Sequence, residues 1–138
     1  MAKILLVEDD PLLREQYALY LRAQDGGGHE VDEARSATQA VGLLKDTWYD
    51  LVLLDIMLAY EKEDDENQEI DEYEVDYGRK MGLHVYKKIR ELKVPPPVIL
   101  ISVVTEYGVL AEFPEVVGRL AKYFSLPELG EMVSRSLG

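Results

Sequence analysis

Cysteine is absent from this 138-residue chain, and tryptophan, phenylalanine and histidine are scarce, with one, two and two copies. Without cysteine the chain cannot form disulfides, thiolate nucleophiles or zinc-thiolate sites. The histidines, His29 and His84, lie far apart without metal-ligand spacing, so we interpret them as surface or packing residues. No apolar run approaches the roughly 18 residues of a membrane span, and the N-terminus has no signal-peptide pattern. These absences predict a soluble cytoplasmic protein.

Basic residues are also few, with 15 lysines and arginines against 27 acids and a net charge of -12. The imbalance is mostly local, because ten of the acids and a single base, Lys62, lie between Glu61 and Asp76. This stretch carries a net charge of -9 and leaves only -3 for the rest of the chain. The remainder therefore has no basic footprint for nucleic acid, and we expect no direct nucleic-acid binding.

Three apolar runs of four residues, Ile4 to Val7, Leu51 to Leu54 and Val98 to Ile101, have the length of strands buried on both faces. A shorter strand is expected around residues 29–34 and a fifth near 119–123. Helical patterns alternate with these strands, and the length suits one domain over residues 1–138. The sequence thus predicts an α/β fold, a doubly wound five-stranded parallel sheet with five helices.

Helix boundaries are marked by polar caps. Asp10, with Pro11 behind it, is expected to cap the first helix, and Ser36 the second. Ser125 and Glu128 form a capping-box pattern before the last helix. Between Thr105 and the fifth strand, Pro114 should interrupt any helix, so we expect a short or irregular element there.

Acidic residues follow two of the buried strands. Glu8, Asp9 and Asp10 come directly after the first run, and Asp55 comes directly after the run from Leu51 to Leu54. Because the carboxyl ends of parallel strands meet at one edge of the sheet, these side chains should gather there. Gathered carboxylates repel each other unless a cation lies between them, and hard oxygen ligands suit Mg²⁺. The sequence therefore predicts a Mg²⁺-dependent acidic pocket, in which Asp10 serves only as the helix cap.

Five segments in this order resemble the response regulator receiver domain of bacterial two-component signalling. They are ILLVEDDPLLR at 4–14, DLVLLDIML at 50–58, GLHVYKKIR at 82–90, VILIS at 98–102 and KYFSLPEL at 122–129. The resemblance implies the flavodoxin-like receiver fold. It also implies six site residues: Asp55 as phosphoacceptor and metal ligand, Asp9 as a direct and Glu8 as a water-mediated Mg²⁺ ligand, Met57 as a carbonyl ligand, Ser102 as the switch hydroxyl and Lys122 as the ammonium near the phosphoryl group.

By this resemblance the chain is a phosphorylation-dependent signalling receiver. It would accept a phosphoryl group from a sensor histidine kinase or a phosphotransfer protein, and it would switch conformation toward a downstream protein target or a homodimer. It is not expected to be a separate turnover enzyme. The charge requirement agrees, because an aspartate that attacks an anionic phosphoryl group needs a divalent cation and a lysine nearby.

The chain departs from the family pattern at several positions. Tyr123 follows Lys122 where the family has a cis proline, so we expect a trans peptide bond and a displaced Lys122. Arg119 replaces the aromatic residue three positions before the lysine, and its charged head cannot be buried there without a partner. Ala59 replaces a proline. An acidic insertion at about 60–78 follows the proposed site, where the family has a short loop.

Several alternatives remain open at this stage. A pseudo-receiver would keep the fold as a protein interaction module and lose phosphorylation through the altered lysine loop. A haloacid dehalogenase type of phosphohydrolase would need Asp-x-Asp after the first strand, and a dinucleotide fold would need its glycines there; neither pattern is present. The insertion is interpreted as solvated and mobile, with a cover over Asp55, a docking surface for a basic partner and an extra cation site as alternatives.

Overall fold

The computed structural model describes residues 2–24, 28–59, 61, 63–64, 81–102 and 113–138. These residues form five strands and four helices. In chain order they are β1 (Lys3–Val7), α1 (Pro11–Ala23), β2 (Glu30–Ala34), α2 (Ala37–Asp46), β3 (Leu51–Asp55), α3 (Met81–Arg90), β4 (Val98–Ser102), β5 (Gly118–Ala121) and α4 (Leu126–Leu137).

All five strands form one parallel sheet in the order β2-β1-β3-β4-β5. The chain crosses over after β2, so β1 and β3 are neighbours at the centre of the sheet. This strand order is the doubly wound arrangement predicted from the sequence. The carboxyl ends of β1, β3 and β4 consequently lie side by side at one edge.

The two faces of the sheet are each covered by two helices. Successive residues of a strand point to opposite faces, so Leu5 and Val7 belong to the core under α2 and α3, while Ile4 and Leu6 belong to the core under α1 and α4. β3 and β4 are buried along their whole length. Burial on both faces explains why these strands are continuous apolar runs in the sequence.

The predicted caps are confirmed. The Asp10 carboxylate accepts the amides of Leu12 and Leu13 at 2.9 and 3.2 Å, and the Ser36 hydroxyl accepts that of Gln39 at 3.1 Å. Ser125 and Glu128 form the reciprocal capping box of α4. Each cap satisfies amide groups that the first turn of a helix leaves without partners, which fixes where the helix begins.

Two expectations fall wholly or partly outside the described residues. The fifth helix was placed between Thr105 and Gly118, and the structure describes only residues 113–117 of that stretch, as a turn. Most of the acidic insertion at about 60–78 is likewise undescribed, apart from Glu61, Glu63 and Asp64. Among the described residues no helix is long and apolar enough to cross a membrane.

Candidate functional site

The polar residues singled out at the strand ends meet at one edge of the sheet. Glu8 follows β1, Asp55 is the last residue of β3, and Ser102 is the last residue of β4; all three are buried. Lys122 follows β5, and its amide donates to the Ser102 carbonyl at 2.9 Å. Four neighbouring strands thus each bring one polar residue to the same edge of the sheet.

Three carboxyl groups form the acidic part of this pocket. Glu8, Asp9 and Asp55 each have a carboxylate oxygen within 4.8 Å of those of the other two. Asp9 is partly exposed, whereas Glu8 and Asp55 are almost fully buried. Oxygen-only donors gathered at this spacing fit a hard divalent cation such as Mg²⁺ better than a soft metal.

Lys122 lies against both buried carboxyl groups. Its Nζ is 3.0 Å from Asp55 Oδ2 and 2.5 Å from Glu8 Oε1. The other Asp55 oxygen, Oδ1, accepts the amide of Met57 at 2.9 Å. One oxygen of Asp55 is therefore held by the loop that follows β3, and the other by the lysine.

The position of Lys122 corrects one expectation from the sequence. The bond between Lys122 and Tyr123 was expected to be trans and the lysine displaced, but the bond is cis and the lysine reaches the site. Tyr123 points into solvent with 80% of its surface exposed, so it does not compete for the pocket. The backbone contact with Ser102 and the contacts of Nζ with Asp55 and Glu8 hold Lys122 in place.

Burial and mutual repulsion set the charges in the pocket. Burial raises the pKa of Glu8 to about 8, and the charge of Asp55 adds to this rise. Burial also raises the pKa of Asp55, against the opposing effect of Lys122. Burial alone would lower the pKa of Lys122, but its contacts with Glu8 and Asp55 outweigh that effect and raise it. One ammonium faces two buried carboxyl groups, so without a cation Glu8 retains its proton to unusually high pH.

The structure also locates Met57, Arg119 and the two histidines discussed from the sequence. Met57 lies two residues after Asp55, and its partly buried side chain packs against the core under α2 and α3. Arg119 is exposed on β5, so its charged head is not buried in the position of the family's aromatic residue. His29 Nδ1 accepts the amide of Ala2 at 3.2 Å, and His84 is buried on α3.

Two residues near the site were not singled out from the sequence. Gly82, in the first turn of α3, lies so close to β3 that an added Cβ would be 2.3 Å from the carbonyl oxygen of Asp55. Asp64, one of ten acids in its stretch, is only 1% exposed and bonds to α2. The glycine at position 82 could have indicated from the sequence that α3 approaches β3 closely. Nothing in the sequence distinguishes Asp64 as the buried acid among its acidic neighbours.

Comparisons with known proteins find receiver domains and response regulators among the proteins that this chain is similar to. The response regulator receiver domain family matches residues 4–62. The transcriptional regulatory protein LytR of Staphylococcus aureus (strain N315) is 26% identical over 133 residues, which are 96% of this chain and 46% of that protein. The sensory transduction protein LytR of Staphylococcus haemolyticus (strain JCSC1435) is 27% identical over 96% of this chain and 44% of that protein. The chain spans less than half the length of these curated relatives.

Solved structures agree as well. The response regulator protein TrrA of Thermotoga maritima, solved in complex with Mg²⁺-BeF, is 26% identical with a TM-score of 0.74, and the match covers 99% of both chains. A CheY-like receiver domain protein of Methanospirillum hungatei JF-1 has a TM-score of 0.78 at 16% identity, over 99% of this chain and 94% of that one, and supports the fold alone. In its strand order and its acidic pocket the chain is similar to the response regulator receiver domains of two-component signalling, the family whose model matches residues 4–62.

Proposed function

We propose that this receiver accepts a phosphoryl group on Asp55 from a sensor histidine kinase or a phosphotransfer protein. The observation that supports this most directly is the contact of 3.0 Å between the Lys122 ammonium and the buried Asp55 carboxylate, beside Glu8 and Asp9. A buried carboxylate paired with an ammonium is suited to attack an anionic phosphoryl group, because the lysine offsets part of the charge.

Mg²⁺ is the proposed cofactor. Asp9, Asp55, Glu8 through water and the Met57 carbonyl would hold it, an all-oxygen set that fits the ion. When bound, Mg²⁺ supplies positive charge that offsets the charge of the incoming phosphoryl group.

We expect added Mg²⁺ to raise the melting temperature of the protein, because it binds the folded state and relieves the repulsion between the carboxylates.

The residues of the chain carry the transfer as follows. An oxygen of Asp55 forms a bond to phosphorus while the phosphorus–nitrogen bond of the donor phosphohistidine breaks, and the imidazole takes the electron pair. Lys122 neutralises charge on the phosphoryl oxygens. Ser102, at the end of the adjacent strand, donates its hydroxyl to the phosphorylated form and draws its loop toward Asp55.

The pseudo-receiver hypothesis depended on a displaced Lys122, and the contacts of Lys122 with Asp55 and Glu8 favour the phosphorylated receiver instead. Arg119 is the remaining feature in favour of an altered switch, because no aromatic ring is present at that position to follow Ser102. Downstream partners are proposed to be proteins or a second receiver. One curated relative is named a transcriptional regulatory protein, but that protein is more than twice as long as this chain. Its name therefore does not imply that this chain binds DNA.

The proposal is tested by incubating the protein with Mg²⁺ and acetyl phosphate and measuring the intact mass. We expect the mass of one phosphoryl group to be gained, and the gain to be lost when Mg²⁺ is chelated or in Asp55→Asn. Asp46→Asn is the matched control, because it removes an acid at the end of α2, far from the carboxyl edge of β3. Undiminished uptake in Asp55→Asn would rule out the assignment.

A further inference from the structure

The first turn of α2 is capped by two side chains from different parts of the chain. Ser36, the local N-cap, accepts the amide of Gln39. The amide of Thr38 instead donates to Asp64 Oδ1 at 3.1 Å, and the Thr38 hydroxyl donates to the same oxygen. Asp64 is 26 residues further along the chain, beyond β3 and Asp55. Its negative charge lies at the positive end of the helix, where it is favoured.

The other oxygen of Asp64 is also occupied by the protein. Oδ2 accepts the amide of Glu61 at 2.8 Å, and the amide of Asp64 donates to the Glu61 carbonyl at 2.9 Å. With 1% exposure, Asp64 is a buried, fully bonded carboxylate rather than a solvated acid.

The contacts of Asp64 also restrain the loop that follows β3. This loop contains Met57, whose backbone carbonyl is a proposed Mg²⁺ ligand. After Asp55, the amide of Ile56 donates to the Ile101 carbonyl at 3.1 Å, and the Leu58 carbonyl accepts the amide of Met81 at 3.0 Å. Asp64 then ties Glu61 to α2. Met57 therefore lies in a short loop that is held to β4 and α3 on one side and to α2 on the other.

We propose that Asp64 is a positioning residue for the Mg²⁺ site: by fastening Glu61 to the start of α2, it fixes the loop that presents the Met57 carbonyl beside Asp55. The inference rests on the proposed metal site. Positioning of this kind works through geometry, since supporting contacts that orient ligands commonly change metal affinity when they are removed.

The neighbouring Glu63 provides a matched control. It carries the same charge and lies one residue away. Its side chain pairs with the exposed Arg35 at 3.5 Å and also contacts Ser36 and Gln39 at the start of α2. Glu63→Gln removes the same charge near the pocket as Asp64→Ala does, but it keeps a side-chain oxygen that can still accept from Ser36 and leaves the tie to Thr38 intact. A difference between the two variants therefore isolates positioning from electrostatic attraction.

The experiment measures Mg²⁺ affinity by isothermal titration calorimetry, together with the melting temperature of the metal-free protein. We expect Asp64→Ala to bind Mg²⁺ about tenfold more weakly than the parent chain, and Glu63→Gln to bind it nearly as well as the parent. Asp64→Asn should fall between them, because its amide oxygen can still accept from Thr38 while its NH₂ group cannot accept from Glu61.

The outcomes distinguish failure of the proposed Mg²⁺ site from failure of the positioning role of Asp64. If the parent chain binds no Mg²⁺, the metal site itself is wrong. If Asp64→Ala melts at a lower temperature but binds Mg²⁺ as tightly as the parent, Asp64 is only a structural cap and the positioning role is wrong. Should Asp64→Ala not fold, Thr38→Val removes one of the two donors to Oδ1, and unchanged Mg²⁺ affinity in that variant would equally overturn the inference.

Discussion

At the residue scale, the pocket contains more groups that can carry a negative charge than groups that carry a positive charge. Glu8 and Asp55 are buried, and among the residues that the structure describes Lys122 is the one ammonium in contact with both of them. An ion pair in a buried site gains from attraction but loses the hydration of both charges, so a second carboxylate without its own cation is costly. The metal-free protein reduces this cost by keeping a proton on Glu8.

The pKa of Glu8 gives a stability prediction with a definite sign. Its folded-state pKa of about 8 lies above the usual 4.5, so between these values the unfolded chain releases the proton while the folded chain keeps it. The free energy of unfolding of the metal-free protein should therefore fall as pH rises from 4.5 through 8, by at most about 1.4 kcal/mol per pH unit from this group. Urea unfolding in EDTA at several pH values measures the effect.

Glu8→Gln isolates the contribution of this one carboxyl group. The variant cannot titrate at position 8, so its stability should depend less on pH over the same window than that of the parent. An equally steep fall in Glu8→Gln would assign the effect to other groups. Added Mg²⁺ should flatten the parent's curve, because a bound cation favours the charged carboxylate.

At the scale of elements, the approach of α3 to β3 depends on Gly82. A Cβ at this position would lie 2.3 Å from the Asp55 carbonyl oxygen and 2.8 Å from Ile56, so the start of the helix would have to move. We expect Gly82→Ala to destabilise the protein by about 1–3 kcal/mol, as overpacked sites do. It should also slow phosphorylation, because Asp55 itself would shift.

Gly42 is the matched control for that substitution. It lies inside α2, and an added Cβ there would meet nothing within 4 Å. Gly42→Ala should therefore stabilise the protein by about 0.5–1 kcal/mol through the better helix propensity of alanine. Chemical denaturation of both variants, with phosphorylation rates from intact mass, checks the pair. Equal and small effects would show that α3 tolerates a side chain against β3.

The elements themselves could be read from the sequence because each rests on local chemistry. Continuous apolar runs predicted β1, β3 and β4, and Ser36 and Ser125 marked two helix starts that the structure confirms. The resemblance implied that Lys122 lies near the site, whereas Tyr123 predicted a displaced lysine. The sequence could not decide between the two, because the position depends on contacts with Glu8 and Asp55 rather than on the neighbours of Lys122 in the chain. Asp64 was hidden for a similar reason: its partner lies on α2, and nothing local distinguishes it from the surrounding acids.

At the scale of the whole molecule, charge is distributed very unevenly. Glu61, Glu63 and Asp64 begin the acidic stretch beside α2, and seven further acids follow between Asp65 and Asp76 in the sequence. The stretch begins only a few residues after Asp55 in the sequence. Its charge should attract cations toward this edge of the sheet and repel anionic phosphodonors.

This charge distribution predicts how the insertion affects phosphorylation. Replacing residues 65–76 with a short glycine-serine loop, while keeping Asp64 and its bonds to Thr38, should leave the helical circular dichroism unchanged. It should speed phosphorylation by acetyl phosphate, most at low ionic strength, because salt screens such charges over about 10 Å at 0.1 M. A variant of the same length with the seven acids changed to Asn or Gln separates charge from bulk. Rates and salt dependence equal to those of the parent would mean that the insertion does not control access to Asp55, and loss of the helical signal would make it a structural element.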